Sequence, residues 1–159
     1  SIIIVPNRSL VTQTREDYEN IGLDVGVFYG KEKDYSRTHT ICTWQSLGSL
    51  YKKTKKGEAP IDIVDFLDDV VCVIVDEVHS AKGTVLKDIL SGPMSHIPLR
   101  WGLTGTIPKE IFEFQALRTS IGNIEGKVSA KELQDKGILS NCHIHIKQLQ
   151  DNRIFTNYQ

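Results

Sequence analysis

Short apolar runs that alternate with amphipathic helical patterns are the feature that most constrains this fold. β-branched runs lie at Ile2–Val5, Val25–Tyr29 and residues 70–75, and helical patterns fill the gaps between them. Strands that alternate with helices predict βαβ units, which build a parallel sheet covered by helices. We therefore predict an α/β fold of three layers with a mainly parallel central sheet.

The remaining elements follow from the same periodicities. Residues 70–75 form the most apolar run, which predicts a central strand covered on both faces. The other predicted elements are a helix at 9–21 capped by Ser9, a strand at 38–43, a helix at 45–51, a loop at 52–60, helices at 61–67 and 82–90, a strand at 99–103, helices at 109–121 and 130–136, and a strand at 142–149. We assign residues 1–128 to the sheet domain and residues 129–159 to its end and the connection that leaves it.

Composition limits the classes of function. The net charge is -1, from 19 basic and 20 acidic residues, so any contact with nucleic acid must come from local groups. The cysteine count of three is odd, which predicts reduced thiols in a cytoplasmic protein. No apolar stretch is long enough to predict a membrane span. The β-branched run that begins directly after Ser1 leads us to expect a fragment.

In parallel sheets, ligands bind outside the carboxyl ends of the strands, so chemistry is expected there. The strand at 70–75 is followed by Asp76, Glu77, Val78 and His79. One carboxylate of such a pair can hold Mg²⁺ through water, and the other can deprotonate or position an attacking water. Taken alone, the two acids fit an ordinary polar turn equally well.

Three more strand ends carry polar turns. Thr104-Gly105-Thr106 follows the strand at 99–103, and Pro6-Asn7-Arg8 follows the first strand. Thr43-Trp44-Gln45 ends the strand at 38–43. A helix N-terminus at such a position presents free N–H groups to an anion. Each turn alone also fits a plain turn or helix cap, and Trp44 fits a buried aromatic as well as a base-stacking one.

In this order and spacing the four turns resemble the first RecA-like domain of superfamily 2 DExH helicases, over nearly the whole chain. Val5-Pro6-Asn7-Arg8-Ser9-Leu10 resembles motif Ia, and Thr43-Trp44-Gln45-Ser46-Leu47 resembles motif Ib. Asp76-Glu77-Val78-His79 resembles motif II. Thr104-Gly105-Thr106 resembles motif III, in which Ala more often replaces Gly105. Within the superfamily the sequence resembles the phage recombination helicases that remodel branched DNA.

The resemblance implies roles for these residues, with ATP and Mg²⁺ as cofactors. Asp76 is implied to hold Mg²⁺ through water, Glu77 to activate water, and His79 to link the ATP site to the strand. Thr104, Gly105 and Thr106 are implied to couple hydrolysis to movement. The implied nucleic-acid contacts are Pro6, Asn7, Arg8, Thr43, Trp44 and Gln45. The residues fit DNA and RNA alike, and the resemblance favours DNA.

A Walker A loop, G-x-x-x-x-G-K-[ST], is absent from the sequence. Residues 122–128 are one residue short of it and end in Val128, so we interpret them as a surface turn. We expect the phosphate-binding loop and the second RecA-like domain outside these residues, and the chain alone to be inactive. The alternative is a catalytically inactive RecA-like docking module. Cys142 and His143 lack the partners of a zinc site, and the cluster Lys52–Lys56 is interpreted as solvated.

Overall fold

The computed structural model describes residues 1–35, 37–79, 84–141, 145 and 146 of the 159. The chain divides into two compact units, Ser1–Ile124 and Glu125–Gln159. The first unit holds the sheet, and the second holds one short helix. The domain boundary that we predicted after residue 128 stays a prediction.

A six-stranded sheet organises the first unit, with strand order β3-β2-β4-β1-β5-β6. All neighbouring strands pair in parallel except β2 and β3, which pair antiparallel. The strands are β1 (Ile2–Val5), β2 (Val25–Tyr29), β3 (Glu32–Asp34), β4 (His39–Thr43), β5 (Cys72–Val75) and β6 (Leu99–Gly102). The α/β fold and the mainly parallel sheet agree with the prediction, whereas the short β3 was not predicted.

Six helices are described. They are α1 (Arg8–Asn20), α2 (Trp44–Lys55), α3 (Ile63–Leu67), α4 (Thr84–Ser91), α5 (Ile111–Ile121) and α6 (Ala130–Asp135). The predicted strand at 142–149 and the predicted start of the fourth helix at Lys82 lie outside the described residues.

The strand β1 is buried on both faces, whereas β5, for which we predicted this, is only partly covered. All four residues of β1 are buried, whereas Cys72 and Ile74 on β5 are only partly covered and Val71 is 61% exposed. The apolar side chains of β1 contribute to two clusters, one on each side of the sheet. An apolar run shows that a strand is buried, but its place in the sheet depends on long-range pairing, which one sequence does not specify.

Two helix boundaries differ from prediction for local reasons. Asn7, not Ser9, caps α1, because its Oδ1 accepts a 3.0 Å hydrogen bond from the N–H of Leu10. The predicted loop at 52–60 begins instead as the end of α2, which continues through Lys55. Lysine is a good helix former and is favoured near a helix C-terminus, and neither Gly nor Pro occurs from Lys52 to Lys56.

The edge strand β6 differs in exposure from the centre of the sheet. Leu99 and Trp101 are each 54% exposed. Arg100 points inward and donates to the carbonyls of Ser120 and Met94, each at 2.9 Å, and to that of Leu90. This side chain therefore ties β6 to α4, to the turn after it and to α5. Among the described residues, no helix is long and apolar enough to cross a membrane.

Candidate functional site

The four turns predicted to carry chemistry lie along one edge of the sheet. Val5 pairs with Thr43, Ile4 with Val75, and Val75 with Gly102, all in parallel register. The carboxyl ends of β4, β1, β5 and β6 therefore lie side by side, in that order. We call this rim of the sheet the carboxyl edge.

The turns after β1 and β4 are joined to each other by one hydrogen bond. Gln45 donates its Nε2 to the carbonyl of Pro6 at 3.3 Å. Thr43 is 5% exposed, and its Oγ1 accepts from the N–H of Ser46 at 3.3 Å and bonds its hydroxyl at 2.9 Å. Thr43 therefore organises the start of α2 from below, while Asn7, Arg8 and Gln45 are exposed at the surface.

The end of β2 also reaches this edge, which the sequence reasoning missed. The Arg8 guanidinium carbon lies 5.4 Å from the centroid of the Tyr29 ring. A Cβ added to Gly30, which has φ +50°, would come within 3.1 Å of Arg8 Nη2. The predicted strand Val25–Tyr29 already implied a fifth carboxyl end at the edge, and this was the signal available. Tyr29 and Gly30 therefore orient Arg8.

Glu77 holds the one described non-glycine backbone with positive φ, at 48°. A left-handed conformation costs a residue with a Cβ about 1–2 kcal/mol, so the surrounding structure must impose it. Three backbone bonds fix the flanks: Asp76 N–H to Ile4 O at 2.9 Å, Val78 N–H to Leu103 O at 3.0 Å, and Leu103 N–H to Val75 O at 2.9 Å. Asp76 Oδ1 also accepts from the N–H of Glu77 at 2.9 Å.

A side-chain network connects the acidic turn to the turn after β6. His79 Nδ1 lies 2.7 Å from Thr104 Oγ1 and 3.1 Å from Glu77 Oε2. Thr104 Oγ1 donates its proton to Thr106 O at 2.9 Å and accepts from Thr106 N–H at 3.0 Å. Since both partners of Nδ1 must then act as acceptors, we assign the proton of His79 to Nδ1. His79 thus links Glu77 to Thr104.

The residues present fit a magnesium ion held mainly by water and phosphate. Asp76 is partly buried, and one of its carboxylate oxygens has no hydrogen bond to a described group. In the described part of the chain, no three His, Cys, Asp or Glu side chains converge. Mg²⁺ keeps several waters and uses one or two carboxylates together with substrate phosphates, so a single Asp is an adequate protein contribution.

The sequence left two questions open: whether Trp44 is buried or free to stack on a base, and whether the site tolerates Gly105 in place of Ala. Trp44 is partly buried and packs against the larger core cluster, and it also lines a surface depression beside α2. A Cβ at Gly105 would meet open space, so the Ala that is commoner at this position would fit. The roles predicted for all of these residues stay predictions. Cys142 and His143, considered as metal ligands, lie outside the described residues.

Comparison with known proteins identifies one family and two solved structures to which this chain is similar. The family described as type III restriction enzyme, res subunit, matches residues 1–109. The solved structure of the UvsW helicase from Bacteriophage T4 superposes with a TM-score of 0.58 at 20% identity, over 76% of this chain and 42% of that one. The Hef helicase domain from Pyrococcus furiosus gives 0.58 at 20% identity, over 78% and 28%. No curated protein sequence matches significantly.

These structures confirm the predicted RecA-like fold. The chain spans less than half the length of either helicase.

Proposed function

The chain belongs to the type III restriction enzyme, res subunit, family. We propose that its RecA-like domain, of the superfamily 2 helicase type, works as part of an ATP-dependent motor. In this proposal the motor remodels branched DNA in recombination and repair. The partners in this proposal are DNA, a second RecA-like domain and a phosphate-binding loop from outside these 159 residues.

The observation that carries the proposal is the connection between the acidic turn and the rest of the carboxyl edge. Glu77, His79 and Thr104 form one chain of contacts at 3.1 Å and 2.7 Å. Along the same edge, Gln45 joins its own turn to that of Pro6. The backbone bond from the N–H of Asp76 to the carbonyl of Ile4 joins the two sides of this edge. The group proposed to act on ATP and the groups proposed to face a strand therefore lie on one edge of the same sheet, as a coupled motor requires.

The chemistry assigned to each residue follows from its position. Asp76 has one carboxylate oxygen that is not hydrogen-bonded to any described residue and could face a hydrated Mg²⁺, and the ion would neutralise charge on the ATP phosphates. Glu77 accepts a proton or orients water, and His79 holds its carboxylate through Nδ1. A movement of His79 would be passed to Thr104 and Thr106 through the Thr104 hydroxyl, which contacts both His79 and the carbonyl of Thr106.

Mg²⁺-dependent ATP turnover by the complete protein that carries these residues, with forked DNA added, tests the proposal. Glu77→Gln keeps the side-chain shape but removes the base, so we expect turnover to fall by about 10²–10⁴-fold. Glu16→Gln makes the same change at an exposed position on α1 and should leave turnover within about twofold.

Full turnover in the Glu77→Gln protein would refute the role assigned to Glu77, whereas no turnover in the unaltered complete protein would favour a catalytically inactive docking module. Equal stimulation by forked and linear DNA would refute the preference for branched substrates alone. The chain of 159 residues by itself should show negligible turnover, because the lysine and N–H groups that hold phosphates are absent from its sequence.

A further inference from the structure

The sequence analysis interpreted the cluster Lys52–Lys56 as a solvated loop. In the structure, lysines of this cluster lie on an ordered face of α2. Gln45, Ser49, Lys52, Lys53 and Lys56 recur at spacings of three or four residues, so they share one side of this helix. Leu47 and Leu50, on the other side, are buried in the core. The face is therefore fixed in direction by the packing of the helix.

This face borders two neighbouring depressions. Their volumes are about 440 Å³ and 270 Å³, and the row Gln45, Ser49 and Lys53 lines both and lies between them. We call the two depressions together the lysine groove. Its charged lining consists of Lys33, Lys52, Lys53 and Lys56 with a single acid, Glu58. A chain with a net charge of -1 thus gathers four cations at one place.

Two lysines of the groove, Lys33 and Lys53, lie close enough for their charges to repel each other. Lys33 Nζ lies 3.8 Å from the centroid of the Phe28 ring, and burial followed by the charge of Lys53 lowers the pKa of Lys33. None of the four lysines forms an ion pair with a described residue. An anion in the groove would relieve this repulsion.

The groove begins at the carboxyl edge. Gln45 lines both depressions and donates to the carbonyl of Pro6, beside the exposed Arg8. From there the groove follows α2, whose length is about 18 Å at 1.5 Å per residue. Trp44 lines its first part and offers an aromatic surface. A basic groove with an aromatic side chain is typical of a surface that follows a single strand.

We propose that the lysine groove binds the phosphodiester backbone of a single DNA strand, and extends the nucleic-acid interface from the carboxyl edge along α2. This inference rests on the proposed function, since it assumes that the strand reaches the turn at Pro6. It adds Lys33, Lys52, Lys53 and Lys56 to the contacts, whereas the nucleic-acid contacts implied by the sequence motifs end at Gln45.

Two adjacent lysines on α2 provide a matched test. Lys53 lines both depressions, whereas Lys55 Nζ lies 4.1 Å from the centroid of the Tyr51 ring and lines neither. Affinity of the chain for a fluorescein-labelled oligothymidylate is measured by anisotropy from 20 to 200 mM salt. Lys53→Gln should weaken binding several-fold at low salt and reduce the slope of log K against log salt by about 0.7. Lys55→Gln should change neither the affinity nor the slope by more than the experimental error.

Equal losses of DNA affinity in Lys53→Gln and Lys55→Gln would overturn the proposal, because binding would then depend only on the general positive charge of this surface. If Arg8→Ala weakens binding and Lys53→Gln does not, the groove is overturned and the proposed function stands. If the unaltered chain fails to bind at the lowest salt, the nucleic-acid interface of the proposed function fails, and the groove with it. Thermal unfolding of each variant checks that the fold is retained.

Discussion

The two halves of the carboxyl edge are built in different ways. On β1 and β4 the strands are almost wholly buried, and the turns that follow are fixed by helix caps at Asn7 and Thr43. On β5 and β6 the strands are partly exposed, and the turns depend on a left-handed Glu77 and on the contact of His79 with Thr104. Buried strands and helix caps thus fix the half implied to bind DNA. A few side-chain contacts hold the half implied to bind ATP.

This difference suits a coupled motor. A turn held by capping bonds and a buried strand changes shape only at the cost of core contacts, which amounts to several kcal/mol. A network of partly exposed hydrogen bonds can rearrange for about 1 kcal/mol per bond. Nucleotide binding is therefore expected to move the Glu77–His79–Thr104 side, with the Pro6–Gln45 side as the fixed reference.

The largest expected contrast lies in thiol reactivity. Cys42 on β4 is 0% exposed and burial raises the pKa of its thiol, whereas Cys72 on β5 is partly exposed. Because Cys42 can react only after unfolding, its labelling by iodoacetamide should be slower by more than about a thousandfold. Mass spectrometry of a Cys142→Ser protein measures both rates, and urea should equalise them. Similar rates without urea would show that β4 opens as readily as β5.

The second contrast concerns stability. Ile4 on β1 is 1% exposed and Leu99 on β6 is 54% exposed. Ile4→Ala should lower the free energy of unfolding by about 2–5 kcal/mol through lost burial and a residual cavity. Leu99→Ala should lower it by less than about 1 kcal/mol, because about half of its side chain already meets water. Urea denaturation with a common m-value measures both, and comparable losses would contradict the proposed asymmetry.

The same division explains how far the sequence could predict the molecule. Val25–Tyr29 was predicted with the bounds that the structure shows, because a short β-branched run between turn residues is a local signal. The gathering of the turns along one edge also followed, since parallel strands share their direction. The central place of β1 did not follow, because it depends on which strands pair.

Errors at the site have equally specific causes. Asn7 and Ser9 are both good caps, and only the start of α1 at Arg8, directly after Asn7, selects Asn7. The contact of His79 with Thr104 joins residues 25 positions apart, so no local pattern announces it. The lysines of α2 were assigned to a loop because a run of charge resembles one, although lysine favours a helix.

The smallest expected effect concerns the backbone of Glu77, in the half of the carboxyl edge formed by β5 and β6. Glu77→Ala removes the carboxylate but keeps a Cβ at φ 48°, whereas Glu77→Gly removes both the carboxylate and the strain. Every lost contact of the carboxylate is common to the two variants, so their difference isolates the strain. Glu77→Gly should be the more stable protein by about 1 kcal/mol, in urea denaturation at one pH.

A matched pair on α1 shows the opposite sign. At Glu16, which is exposed within this helix, Gly should be less stable than Ala by about 1 kcal/mol because of its lower helix propensity. If Gly were also the less stable residue at position 77, the acidic turn would hold no strain, and the contrast between the two halves would reduce to burial alone. If the sign reverses as expected, the turn is held in its left-handed form against its own preference, and the contacts around it are what keep Glu77 in place.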